Sequence, residues 1–182
     1  MFGDLMKKMQ EEMKKAMGDN FQMNIPEGLN QEGGWNEEEG VYYAKGSFDD
    51  EVEYNNEIVC ITNVTLDNME EMNEAMDDKD YARAEQVRLE WIKNIPNYIA
   101  QVNELGAYNG DDMLQKAAIK YFESFDSLMK NGYQKLIAMR LAGKRGTPEE
   151  QAQLKENNNL MQKFADKFNE VSDDFLEKHE DD

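Results

Sequence analysis

One histidine and one cysteine stand among 182 residues, and their scarcity removes most site chemistry at once. The lone cysteine, Cys60, excludes an internal disulfide. The lone histidine, His179, cannot supply the paired Glu-x-x-His motifs of a dimetal carboxylate bundle. Nor can His179 and Cys60 together fill a structural zinc site. A histidine-activated nucleophile meets the same obstacle, because His179 falls in the polar stretch 177–182, which reads as a frayed, solvated tail. Cys60 lies between Val59 and Ile61 and reads as a small buried residue rather than a reactive thiol. The expectation is a protein that is not an enzyme and takes no cofactor and no metal.

Basic charge is also scarce. Twenty Lys and Arg face 39 Asp and Glu, for a net charge of -19. Such a field repels phosphate backbones, so no nucleic-acid partner is expected. No apolar run approaches the roughly 20 residues that cross a bilayer, so no transmembrane segment is expected. Near the start, Lys7, Lys8, Glu11 and Glu12 interrupt any signal-peptide core. That predicts a cytoplasmic location, or the cell envelope or surface had a leader been removed. Carboxylates gather at 49–51 and 77–80, but neither run has the alternating acids and central glycine of a calcium loop. Both read as helix ends.

Only three prolines interrupt the chain, and what fills it is helical periodicity. The clearest stripe is Tyr81, Ala84, Arg88, Trp91, Ile95, Tyr98, Val102 and Leu105, in alternating steps of three and four. That spacing places all eight on one side of a coiled-coil-like helix, in phase across Pro96. A helix at about 49–76 precedes it. After the turn Asn109-Gly110-Asp111, a further helix carries Leu114, Ala118, Tyr121, Phe125, Leu128, Leu136 and Met139, with Gly132 inside for close contact or a bend. Thr147-Pro148-Glu149-Glu150 is a capping box and opens the last helix. Short connections make sequential helices antiparallel. The fold predicted is all-α, an up-down-up-down four-helix bundle over 48–178. An amphipathic helical arm at 1–18 and a Gly-rich linker at 19–47 precede it. Within it, Val41 to Ala44 has the composition of a short strand, but a strand without a partner is unstable. Val41, Tyr42 and Tyr43 are therefore expected to pack, with Trp35, on the bundle or on another chain. Residues 179–182 form the acidic tail.

Two features point to partners. The arm presents Phe2, Leu5, Met6, Met9, Met13 and Met17 on one face, and the linker adds Trp35. Flexible thioethers suit adaptable recognition, and Met69, Met72 and Met76 form a second such group. Arg88, inside the seam, is a candidate for a buried ion pair, which asks for a carboxylate from another helix. The alternative is that its stem packs while its guanidinium reaches the bundle edge.

The tract Glu53-Tyr54-Asn55-Asn56-Glu57-Ile58-Val59, the stretch from Asn131-Gly132-Tyr133 to Leu141, and Thr147-Pro148-Glu149-Glu150 together resemble uncharacterised helical-bundle proteins of the bacterial cell surface, over about residues 50–178. The resemblance implies a bacterial helical bundle and assigns no functional residue. Three function classes remain. The first is a non-enzymatic interaction or scaffold protein that uses the Met-rich arm for a protein partner or self-association. The second is an acidic inhibitor, immunity protein or secretion chaperone for a basic client. The third is a lipid or small-molecule carrier within the bundle. Peripheral membrane contact through residues 2–17 is a variant that Lys7, Lys8, Lys14 and Lys15 favour.

Overall fold

The computed structural model describes residues 48–180, with the backbone of two short strands before them. Strand β1 (Trp35–Asn36) pairs antiparallel with β2 (Val41–Tyr42), Trp35 opposite Tyr42. Val41 and Tyr42 therefore do form a strand, and it has the partner that the sequence did not show. The amphipathic arm and the rest of the linker lie outside the described residues, as do residues 181–182.

From Asp50 onward the chain is an all-α four-helix bundle. The first rod is α1 (Glu51–Thr62) followed by α2 (Val64–Asp77). Asp50 caps α1, its carboxylate accepting from the Glu53 N–H at 2.8 Å. The single helix expected over 49–76 is interrupted at Asn63. Thr62 donates its hydroxyl to the Val59 carbonyl at 3.0 Å, and Thr65 donates to the Thr62 carbonyl at 2.9 Å. Hydroxyls that bond back to the preceding turn compete with the backbone ladder and bend a helix.

The second rod is α3 (Tyr81–Leu105), unbroken through Pro96, whose ring faces solvent. Asp80 caps it by accepting from the Arg83 N–H at 3.0 Å. Of the heptad stripe, Ala84, Arg88, Trp91, Ile95, Val102 and Leu105 are buried, while Tyr81 and Tyr98 are half-buried. The third rod is α4 (Met113–Leu128), a π-helical turn at Met129–Tyr133, and α5 (Gln134–Leu141). The expected continuous helix thus carries a π turn around Gly132, a local widening that one extra residue produces. The fourth rod is α6 (Pro148–His179).

Each rod packs on the next, and the first rod also packs on the third and the fourth. The interior is aromatic. Trp91 stacks on Phe125 with ring centroids 5.2 Å apart, and Tyr121 contacts both Phe125 and Phe168. Met69, Met72 and Met76 are buried in this core. They are not the partner surface their clustering suggested, because α2 turns its three-four methionine stripe toward the bundle interior.

The π turn joins all four rods. Gly132 lies so close to α6 that a Cβ there would stand 2.2 Å from Asn157 Oδ1. Tyr133 beside it points its buried hydroxyl at Met69 Sδ (3.5 Å) and Met161 Sδ (3.9 Å). Met129 offers its carbonyl to Arg88 of α3 at 3.1 Å. We predict that Gly132→Ala lowers stability by about 1–3 kcal/mol in urea unfolding, the usual cost of overpacking. Paired with Asn157→Ala, it should cost less than the two single changes summed, because the clash is then gone.

Candidate functional site

Three lysines each precede an aromatic residue: Lys120-Tyr121 in α4, and Lys163-Phe164 and Lys167-Phe168 in α6. Neighbours on a helix differ by about 100°, so the aromatic turns toward the seam while its lysine stands at the rim. The structure assembles the three pairs around a groove between α4 and α6. One hollow of about 250 Å³ is floored by Ala117, Tyr121, Phe164, Phe168 and Val171 and rimmed by Lys120, Lys163 and Lys167. A second, of about 320 Å³, shares Lys120, Ser124 and Phe164 with the first and continues past Leu128 and Leu160 to Gly132 and Asn157. Its rim adds Lys135, with Glu123 and Glu156.

The rim lysines are exposed, and their ion pairs are few. Lys120 lies 3.8 Å from Glu123, and Lys167 lies 2.7 Å from Glu170. Lys163 and Lys135 make no ion pair among the described residues. At the inner wall, Gln153 donates to Asn157 Oδ1 at 2.9 Å, leaving the fully buried Asn157 Nδ2 without an acceptor among the described residues.

The buried Arg88, Arg140, Glu150 and His179 sit outside this groove. Arg140 of α5 donates to Glu150 of α6 at 2.7 Å, with both side chains buried. Glu150 also accepts from the Gly146 N–H at 3.1 Å and from Gln151 at 2.7 Å. Burial alone would raise the Glu150 carboxyl, but these hydrogen bonds outweigh it and hold the group below its ordinary value. The capping box at Thr147 is therefore present in altered form. Thr147 Oγ1 accepts from the Glu150 N–H at 3.4 Å, while Glu150 reaches Gly146 and Arg140.

Arg88 is buried, as a seam position requires, so its guanidinium does not reach the bundle edge. Its carboxylate partner comes from its own helix: Nε and Nη2 donate to Glu85 at 2.8 and 2.6 Å. The contact to another rod is the Met129 carbonyl. The hydrogen bonds from Arg88 hold the Glu85 carboxyl below its ordinary value.

His179 corrects the expectation of a solvated tail. Helix α6 continues through it, and its ring is buried against Tyr108 and Phe175 at centroid separations of 5.2 and 4.9 Å. The polar sequence around it hides a helical register that carries Phe175 and His179 inward, four residues apart. Asp111 Oδ2 receives Lys178 at 2.6 Å and His179 Nε2 at 2.9 Å, and Asp111 Oδ1 accepts from the Met113 N–H at 3.0 Å. The Lys178 hydrogen bond leads in holding the Asp111 carboxyl down, at about 2.

Cys60 is half-buried, and desolvation, with Glu57 nearby, pushes its thiol up to about 12. No group of three His, Cys, Asp or Glu that would hold a metal occurs among the described residues. No helix among them is long and apolar enough to cross a membrane. Phe2, Leu5, Met6, Met9, Met13 and Met17 lie outside the described residues, and of Trp35 only the backbone is described.

Two predictions follow from these contacts. Arg140→Met leaves Glu150 buried without its cation and should cost about 3–5 kcal/mol, whereas Arg140→Met with Glu150→Leu should recover much of it in denaturant unfolding. Asp111 contributes stability that is fully present above its unfolded value of 3.8 and is lost as pH falls toward about 2. Asp111→Asn should therefore flatten the acid limb of the stability curve in that window, read as melting temperature against pH. Compared with known protein families, with characterised proteins and with solved structures, the chain matches none.

Proposed function

We propose that this chain is a non-enzymatic interaction protein in which the helical bundle is the scaffold and binding, rather than catalysis, is the activity. The observation that supports this reading is the partition of its polar chemistry. The groove between α4 and α6 has an aromatic floor and a lysine rim, with neither histidine nor cysteine in its wall. Of the buried ionisable side chains among the described residues, Arg88, Arg140, Glu150 and His179 are committed to contacts that tie the fold together. Activated acids, bases and nucleophiles stand in clefts, and none of these four groups lines either hollow of this groove. The Met-rich stretch at 2–17 is a second association element, for a protein partner or another copy of the chain.

Light scattering after size exclusion tests the reading on the full chain and on a Met9→Glu, Met13→Glu variant. We expect the parent to be an oligomer and the variant a monomer, or both to be monomers with the variant losing a protein that the parent retains from its own cells. Equal mass and equal capture remove the stretch at 2–17 from the mechanism.

A further inference from the structure

We propose that the groove between α4 and α6 docks an amphipathic helix of a partner protein whose apolar stripe is flanked by acidic residues. This deepens the reading of the chain as an interaction protein and rests on it.

Shape argues for a helix. The two hollows adjoin at Lys120, Ser124 and Phe164, and on α6 they run from Gln153 to Val171. At about 1.5 Å per residue that is a trough of about 27 Å, five helical turns long. Both hollows open to solvent. A helix laid between two others fills such a seam with side chains at i, i+3, i+4 and i+7.

Charge argues for acidic flanks. In a chain of net charge -19, four lysines and two glutamates border this trough, and the charged residues that line the hollow at Phe168 are Lys120, Lys163 and Lys167. At physiological salt, charges separated by more than about 8 Å are largely screened. A docked helix therefore meets Lys120, Lys163 and Lys167 together with the adjacent Glu123 and Glu170, and the rest of the acidic surface is screened. The existing pairs, Lys120 with Glu123 and Lys167 with Glu170, are exposed and weak, so a partner's carboxylates can replace them. A basic helix would be drawn to the body at low salt and rejected here on contact.

The test uses the full chain, isotope-labelled, and a synthetic helical peptide of about 18 residues with leucines at three-four spacing flanked by glutamates. A second peptide has the same leucines flanked by lysines. Binding of the Glu-flanked peptide should shift backbone amides in 117–128 and 160–171 and weaken with added salt. Lys163→Glu with Lys167→Glu should weaken it about tenfold or more. Both lysines are exposed, and an unchanged circular dichroism spectrum will show that the variant folds. No shift with the Glu-flanked peptide, equal binding of both peptides, or undiminished binding to the variant overturns the proposal. So do shifts at these amides with phosphatidylglycerol vesicles and none with peptide, which would make the face a lipid surface. Failure here with an intact effect of Met9→Glu, Met13→Glu on association removes the groove and leaves the interaction reading standing.

Discussion

The π turn at Met129–Tyr133 is the point on which the four rods depend. Five consecutive residues there reach three other helices: Met129 accepts from Arg88, Gly132 lies against Asn157, and Tyr133 meets Met69 and Met161. Of these contacts only the charge-assisted hydrogen bond from Arg88 is strong alone. A thioether is a weak acceptor, and a glycine contributes only the space it leaves empty. Their effect is geometric. The widened turn sets how near the third rod comes to the fourth and places the buried guanidinium of α3 against a backbone carbonyl. The π turn is thus one of the features that fix register between rods.

The stripes were nevertheless what made the architecture legible. Apolar residues at three-four spacing in α3 named its buried face correctly, and the same pattern carried the helix through Pro96, whose ring lies on the solvent side. Gly132 stood out as a glycine where alanine would be easier, and its reason proved to be close contact. What periodicity could not show were the departures. The break at Asn63 arises from hydroxyls of Thr62 and Thr65 turning back on the chain, chemistry that an apolar count ignores. The inward register of His179 was masked by acidic neighbours, because four-residue spacing from Phe175 is visible only when histidine is allowed a core role. The groove lysines had a signal in the sequence, a cation directly before an aromatic three times over. Its meaning depended on knowing that α4 and α6 are neighbours.

Polar groups inside this bundle fall at its two ends and its waist. Arg140 and Glu150 brace the loop into α6, Asp111 gathers Lys178 and His179 at the opposite end, and Arg88 holds the middle. Such groups add little net stability against apolar replacements, but each one penalises a rod that has shifted or reversed. The aromatic interior supplies attraction without direction, and these contacts supply direction.

The first and last parts of the bundle meet. Tyr54, near the start of α1, packs on Phe175, near the end of α6, and its hydroxyl donates to the Gly106 carbonyl at 2.6 Å. Ser172 donates to Asn55 at 2.7 Å beside them. The chain therefore enters and leaves at one pole, while the turns at 77–81 and 141–148 occupy the other. A bundle with neighbouring ends is a natural candidate for circular permutation: a short peptide joining 180 to 48 and new termini within the exposed loop 143–146 would keep every rod whole.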